Sequence, residues 1–120
     1  MTTKAARKGR IRVLINLGSE ALPPFASDAE LAAWLGVDRS QLSRYRRGRQ
    51  HPGSEAGWRL TGLQAVVQAL RQVLEPDAVG DWLLGVNAHL NHQRPLDLLH
   101  AGRVAEVMAA VEAERVGSFA

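Results

Sequence analysis

The chain has 120 residues, of which 46% are hydrophobic and 22% charged, and its formal net charge at pH 7 is +3. This length and apolar content predict one globular domain, or two small ones that share a core, and not a disordered chain. The absence of cysteine excludes disulfides and thiolate zinc sites. No apolar run reaches the roughly 18 residues that a membrane span needs. We therefore expect a cytoplasmic protein without a membrane partner.

The first part of the chain combines a basic arm with a short apolar segment. Residues 1–10, MTTKAARKGR, are mostly small or basic. They fit either a disordered terminus or an arm that adds phosphate or minor-groove contacts. A Pro-Pro loop at residues 21–26 ends any helix that precedes it. Apolar residues between the arm and the loop predict a first helix that packs under the next ones: Ile11, Leu14, Ile15 and Leu17.

Residues 28–52, DAELAAWLGVDRSQLSRYRRGRQHP, predict two short helices around a tight turn. Ser27 with Glu30, and Asp38 with Gln41, have the spacing of capping boxes, which satisfy the first backbone N–H groups of a helix. A glycine stands between the helices, where a left-handed residue ends the first one. Apolar residues occupy the positions that must face inward: Leu31, Trp34, Leu35, Val37, Leu42 and Tyr45. We interpret the segment as a helix-turn-helix with its recognition helix at residues 39–47.

The polar side of that second helix is strongly basic. Residues 39–54 contain five arginines and no acidic residue, whereas a solvated helix face usually mixes both signs of charge. A solvated basic face, or a bent helix pair that does not bind DNA, is the alternative. We favour DNA binding, in which Ser40, Ser43 and Arg44 contact base edges and the other arginines contact phosphates. The predicted DNA-binding set is Arg39, Ser40, Gln41, Ser43, Arg44, Arg46, Arg47 and Arg49.

The two halves of the chain differ in charge. Residues 1–54 hold ten Lys and Arg against four Asp and Glu, a balance of +6. Residues 55–120 hold five against eight, a balance of −3. Opposite charges predict two partners of different kinds, and a basic half suits phosphate groups. Helix breakers at residues 51–57 mark the seam between the halves.

Residues 58–120 predict further helices and no strand, so the predicted fold class is all-α. An apolar stripe that begins at Trp58 and reaches Leu74 indicates a long amphipathic helix. Pro76 begins another helix, and Pro95 opens a short one that ends near Gly102. The loop GVNAHLNHQRP lies between these two. Valines and a methionine line the last predicted helix: Val104, Val107, Met108 and Val111.

Residues that could carry catalysis or bind a metal form no convincing set. His89 and His92 are three apart, but they fall in the predicted loop and no third ligand is evident. The sequence has no Gly-rich phosphate loop, no activated-serine motif and no nucleophilic cysteine. We therefore expect a protein that is not an enzyme and that has no metal site and no cofactor.

The carboxyl-terminal third resembles the corresponding domain of the Xre/MbcA/ParS-type antitoxins. In that family a Trp-containing helix leads to an Asn-bearing loop, a Pro-led "DLL" helix, a glycine and a final helix with a short tail. The family usually has proline before the loop asparagine and a Gly-rich stretch before the Pro-led helix. This chain departs from both, with Val86 at the first place and Asn91, His92 and Gln93 at the second. The matching residues are Trp82, Leu83, Asn87, Leu90, Pro95, Asp97, Leu98, Leu99, Gly102, Val104, Val107 and Gly117.

This resemblance implies two partners. Antitoxins of this family are encoded beside a RES-domain toxin that destroys NAD, and their carboxyl-terminal segment blocks the active site of the toxin. Their amino-terminal domain binds the promoter of their own operon. Carried onto this chain, residues 1–54 are the DNA-binding region and residues 55–120 the antitoxin domain. The toxin-binding segment is then Val116, Gly117, Ser118, Phe119 and Ala120.

Two other functions stay open at this point. One is a stand-alone helix-turn-helix regulator whose carboxyl-terminal half only dimerises. The other is a protein-binding antitoxin whose helix-turn-helix has lost its DNA affinity, against which the arginine cluster argues. Operator binding predicts a homodimer, because one recognition helix makes too few base contacts for useful specificity. With toxin, this dimer is expected to form a larger hetero-oligomer.

Overall fold

A computed structural model describes residues 22–117, and every regular element within this part is helical. The described residues contain one isolated β-bridge, between Asn87 and Gln93, and no strand. The all-α prediction is therefore confirmed. The predicted arm and first helix, at residues 1–17, lie outside the described residues. The elements are α1 (Asp28–Leu35), α2 (Arg39–Arg46), α3 (Ser54–Arg71), α4 (Pro76–Leu84), a 3-10 turn (Ala88–Leu90), α5 (Pro95–His100) and α6 (Val104–Gly117).

Local hydrogen bonds explain where α1 and α2 begin and end. Asp38 and Gln41 form the predicted reciprocal box, with the Gln41 N–H donating to Asp38 Oδ1 at 2.7 Å and the Asp38 N–H donating to Gln41 Oε1 at 3.1 Å. At α1, the Ser27 hydroxyl accepts the Glu30 N–H, but the Glu30 carboxylate accepts the N–H of Ala26 at 3.1 Å. The predicted box of α1 is thus shifted by one residue. Gly36 ends α1 with a φ of +84°, as the sequence predicts.

The long helix α3 is the centre of the fold and contacts α1, α4, α5 and α6. Its inner side chains are almost completely buried, including Leu63, Val66 and Leu70. We call α1 and α2 the helix pair. Leu35 and Leu42 from this pair and Leu99 from α5 belong to the same apolar cluster. Burial of each such side chain contributes about 1.5–3 kcal/mol to folding. The predicted boundary between residues 54 and 55 falls in the first turn of α3, and the division into two domains stays a prediction.

The start of α3 differs from the sequence prediction. Residues 51–57 were expected to break helical structure, yet α3 begins at Ser54. Gly53 occupies the N-cap position, and its carbonyl accepts the Gly57 N–H at 2.7 Å, so the first turn closes despite its glycines. Trp58, predicted at the head of the apolar stripe, is 43% exposed. Leu60, which belongs to the predicted stripe, is buried, and Ala56 is buried one turn before it. The rotation of α3 that buries these two residues leaves Trp58 at the edge of the buried face.

The last helices follow the sequence prediction closely. Pro95 is the first residue of α5, and Gly102 ends this part of the chain with a φ of +82°. Val107 and Val111 of α6 are buried as predicted. Met108, which was predicted in the same apolar stripe, is exposed, and Ala110 is buried in its place. None of the helices within residues 22–117 combines the length and apolar character of a membrane span.

Candidate nucleic-acid interface and toxin-binding segment

The outer face of α2 carries a row of polar and basic side chains. The inner face holds Leu42 and Tyr45, which are 1% and 3% exposed and attach the helix to the core. On the opposite face, the spacing i, i+3, i+4 and i+7 places four residues on one side of the helix. These four residues, which we call the outer row, are Ser40, Ser43, Arg44 and Arg47. Arg39 is also exposed, at the first turn of the same helix.

Gln41 differs from the outer row, although the sequence placed it in the same DNA-binding set. Its side-chain oxygen accepts the backbone N–H of Asp38 in the capping box. That oxygen is therefore committed to the helix start. The amide nitrogen of Gln41 is the group of this side chain that can still donate to a base or phosphate.

The loop that follows α2 turns back beside Arg44. Gly48 has a φ of +70°, a conformation that favours glycine, and the Arg49 N–H donates to the Arg44 carbonyl at 2.9 Å. The Arg44 Nε donates to Gln50 Oε1 at 2.7 Å, so the guanidinium is held in one orientation. The turn brings Arg47 and Arg49 to the same end of the helix as Arg44.

Arg46 is placed differently from its sequence prediction. Its side chain is only 13% exposed, and its Nη2 lies 3.0 Å from Asp28 Oδ1 at the start of α1. At this position Arg46 joins the two helices of the pair. A phosphate contact requires a guanidinium that reaches outward, so we correct the predicted set by leaving Arg46 out of it. The rotation of α2 that buries Leu42 and Tyr45 directs Arg46 toward α1.

Among the described residues, no carboxylate compensates the positive charge of the other four arginines in the predicted set. Within residues 22–117, no ion pair forms at Arg39, Arg44, Arg47 or Arg49. The nearby acidic residue Asp38 accepts a backbone N–H in the cap, and Glu55 pairs with Arg59. A guanidinium stays charged at any physiological pH and donates in a planar fork that matches phosphate oxygens. This surface is therefore suited to a polyanion.

The predicted toxin-binding segment lies at the end of α6. Val116 and Gly117 form the last residues of that helix, and Val116 is 57% exposed. Ser118, Phe119 and Ala120 lie outside the described residues. Directly before this segment, the Arg115 Nε donates to Glu112 Oε2 at 2.9 Å. This hydrogen bond lowers the pKa of Glu112 and raises that of Arg115.

The loop between α4 and α5 contains the asparagine that matches the family pattern, and its shape is fixed by hydrogen bonds within the loop. The Asn87 side chain accepts the His89 N–H at 2.9 Å, and the Asn87 carbonyl accepts the His92 N–H at 2.8 Å. Asn91 and His92 both have positive φ values, 55° and 60°. No group of three or more His, Cys, Asp or Glu within the described part of the chain is arranged to hold a metal ion.

Sequence reasoning missed Arg59, which connects the helix pair to the rest of the fold. Its Nη1 donates to the Leu35 carbonyl at the end of α1, at 3.3 Å. Its Nε donates to the His100 carbonyl at the end of α5, at 2.9 Å. The Glu55–Arg59 spacing of four residues was a signal for a local ion pair, which forms at 2.6 Å. The two carbonyl contacts arise from tertiary packing alone.

Comparison with known proteins places the chain among bacterial antitoxins. It is 35% identical over 101 residues to a probable mycobacterial cidal antitoxin of Mycobacterium tuberculosis. The aligned residues cover 83% of this chain and 86% of that protein. It is 33% identical over 85 residues to the mycobacterial cidal antitoxin MbcA of Mycobacterium bovis, covering 69% and 75%. The MbcA of Mycobacterium tuberculosis gives the same values. The chain therefore belongs to the mycobacterial cidal antitoxin (MbcA) family, which confirms the predicted family.

The fold agrees with that membership. A chain in the crystal structure of the M. tuberculosis MbcT–MbcA toxin–antitoxin complex superposes with a TM-score of 0.66 at 24% identity, covering 95% of both chains. At this level of identity the likeness concerns the fold. No protein-family model matches the chain.

Proposed function

We propose that this protein is a type II antitoxin that binds and neutralises a partner toxin and represses its own operon by binding DNA. The observation that carries the proposal is the 35% identity to a mycobacterial cidal antitoxin over 83% of the chain. The fold shared with a chain of the MbcT–MbcA complex adds support. The toxin that the family resemblance implies is a RES-domain enzyme that degrades NAD. The antitoxin itself acts in the cytoplasm by binding, without catalysis or a cofactor.

Neutralisation in this proposal depends on residues 116–120. Val107 and Val111 are buried in the core and hold α6 in position. The last turn of the helix therefore extends from a fixed part of the fold. Val116 is exposed there, and Phe119 follows as an apolar side chain of the kind that anchors protein–protein contacts in pockets. The segment enters the active-site cleft of the toxin and excludes NAD from it.

Repression depends on the outer row of α2 in a homodimer. Ser40, Ser43 and Arg44 contact base edges in the major groove, since they lie at the start and centre of the exposed face. Arg39, Arg47 and Arg49 contact phosphates, which position the helix without reading sequence. Support comes from the lack of any ion pair at these arginines within residues 22–117.

Co-expression with a toxic RES-domain partner tests neutralisation, and a mobility-shift assay with operator DNA tests repression. Three versions are compared: the full chain, a chain without residues 116–120, and Arg44→Ala combined with Arg47→Ala. We expect the full chain and the double variant to rescue growth, and the truncated chain to bind toxin without rescue. In an operator mobility-shift assay, we expect the full and truncated chains to bind and the double variant to lose binding.

Different results contradict different parts of the proposal. Equal rescue by the full and truncated chains places inhibition in the helical body and not in the tail. If no version binds toxin while operator binding persists, the protein is a stand-alone regulator. If the full chain rescues growth but binds no operator DNA, the protein is an antitoxin without a repressor activity.

A further inference from the structure

The turn that ends α2 places Gln50 beside Arg44. The Gly48 N–H donates to the Tyr45 carbonyl at 3.1 Å. The Arg49 N–H donates to the Arg44 carbonyl at 2.9 Å. These two bonds form a Schellman motif, in which Gly48 is the left-handed residue with a φ of +70°. The motif reverses the chain, so the residue after Arg49 lies next to the last turn of α2.

The side chains of Gln50 and Arg44 are joined by a hydrogen bond. The Arg44 Nε donates to Gln50 Oε1 at 2.7 Å. Gln50 is half-buried and lines a depression at the start of α3, together with Val37 and Ala56, whereas Arg44 is exposed. A guanidinium has donors and no acceptor, so the glutamine presents its oxygen to it. The more buried side chain therefore fixes the direction of the exposed one.

This bond determines which donors of Arg44 remain for a ligand. A guanidinium has five N–H groups, one on Nε and two on each Nη. With Nε occupied by Gln50, the free pair of parallel donors is the fork formed by Nη1 and Nη2. No carboxylate pairs with Arg44 within residues 22–117. The fork is therefore available to a ligand that presents two acceptors side by side.

Among the bases, guanine presents such a pair in the major groove, through O6 and N7. Adenine has an acceptor next to a donor, thymine has one acceptor, and cytosine has a donor. A fork that offers two donors therefore finds a full set of partners on guanine alone.

We infer that Arg44 reads one guanine of the operator through Nη1 and Nη2, and that Gln50 is the positioning residue that holds the fork for this contact. The inference rests on the proposed DNA binding of α2. It goes beyond that proposal in naming the base, and in adding a residue that lies outside the DNA-binding set.

The expected contribution of Gln50 comes from conformational entropy. A free arginine side chain populates many rotamers, and ordering it on binding weakens the affinity by roughly 2- to 12-fold. In this chain the order already exists before DNA binds, because the Gln50 oxygen holds Nε. The gain applies to a duplex with guanine at this position, since another base does not engage the fork.

The test measures base preference with the full chain. Selection from a random duplex library gives the preferred sequence, and Arg44→Ala identifies the guanine whose preference is lost. Fluorescence anisotropy then compares that duplex with duplexes that carry another base pair there. We expect the unchanged chain to favour guanine by about 5- to 150-fold. Gln50→Met, which keeps the size of the side chain but removes the acceptor, should reduce this ratio by roughly 2- to 12-fold.

Three controls separate positioning from a structural role. Gln50→Glu keeps an acceptor for Nε, so it should retain the guanine preference while its negative charge weakens binding to every duplex. Gln72→Met makes the same change at an exposed position at the end of α3 and should alter nothing. Gln50→Met added to Arg44→Ala should have no further effect on base preference, because the contact that it supports is already gone. Circular dichroism checks that the variants keep their helices.

Several results contradict the inference while operator binding stands. If Gln50→Met weakens all duplexes equally, Gln50 supports the fold or a phosphate contact and not base reading. If Gln50→Glu loses the guanine preference as Gln50→Met does, an acceptor for Nε is not what matters. If Arg44→Ala changes no guanine position, Arg44 does not read this base. An unchanged chain that binds no duplex at all contradicts the proposed repression itself, together with this inference.

Discussion

The arginines of the helix pair and those of the later helices differ in whether a nearby carboxylate neutralises their charge. In α3–α6 and their connections, four arginines pair with a carboxylate three or four residues away: Arg59 with Glu55, Arg94 with Asp97, Arg103 with Glu106 and Arg115 with Glu112. In α2 and the following loop, Arg39, Arg44, Arg47 and Arg49 form no ion pair within residues 22–117. Local pairs neutralise charge and stabilise a helix by about 0.2–0.5 kcal/mol each. Uncompensated arginines on one face leave their charge for an external anion.

Arg46 shows why position matters more than number. It belongs to the basic half of the sequence, yet it pairs with Asp28 at 3.0 Å and is largely buried. Because it has a carboxylate partner, Arg46 resembles the arginines of the later helices. A count of arginines therefore exceeds by one residue the number that the proposed DNA-binding surface can use.

Removing two arginines of the outer row should have the largest effect. Arg44→Ala should cost about 1–3 kcal/mol of operator binding, as expected for a base contact. Adding Arg47→Ala should make the log–log salt slope less negative by about 0.9, because one phosphate contact is lost. Fluorescence anisotropy titrations at several salt concentrations measure both quantities.

The matched control for this experiment removes two paired arginines. Arg94→Ala with Arg103→Ala changes the net charge by the same amount but lies outside the helix pair. We expect operator affinity and salt slope to stay at the values of the unchanged chain. Equal losses in both double variants would mean that net charge, and not the outer row, governs DNA binding.

Arg59→Ala should have the next largest effect, on folding stability. The substitution leaves the Leu35 and His100 carbonyls without their charged donor, which costs about 1–3 kcal/mol. Urea denaturation followed by circular dichroism measures the free energy of unfolding. Arg103→Ala, which breaks one exposed pair, should cost less than about 0.5 kcal/mol. Similar values for the two variants would show that Arg59 is only another local pair.

Arg46→Ala should reduce stability moderately and leave the salt dependence of operator binding unchanged. The loss should be about 1 kcal/mol, because the Asp28 partner is half exposed and retains contact with water. The same anisotropy and denaturation assays give both numbers. If Arg46→Ala changed the salt slope about as much as Arg47→Ala does, this result would show that Arg46 contacts a phosphate.

The smallest effect concerns pH. The hydrogen bond from Arg94 lowers the pKa of Asp97 below its ordinary value. Because the folded pKa is the lower one, the stabilisation is fully present above the unfolded value of about 3.9 and is lost as pH falls through the folded pKa. Asp97→Asn should therefore weaken the decline in stability between about pH 5 and pH 2. Denaturation at a series of pH values measures this change, and an unaltered decline would show that the pair contributes nothing.

Features that depend on neighbouring residues were well predicted from sequence. Asp38 with Gln41, Gly36 and Pro95 all act as expected, since their effects are exerted within four residues along the chain. The sequence prediction placed the start of α3 four residues too late. The helix begins at Ser54, although glycines lie on both sides of this residue. A glycine can be accommodated in a first turn that its own backbone hydrogen bonds close, and composition does not reveal this.

The sequence by itself determined the all-α class, the ends of α1, α2 and α5, and the membership of the antitoxin family. Tertiary structure decided which face each helix presents. The packing of Leu42 and Tyr45 into the core directs Arg46 toward α1 and Arg44 outward, and the rotation of α3 leaves Trp58 exposed. Helical spacing groups residues into faces, but the contacts between helices select which of two adjacent faces is buried. For this reason the surface proposed for DNA became specific only in the folded chain.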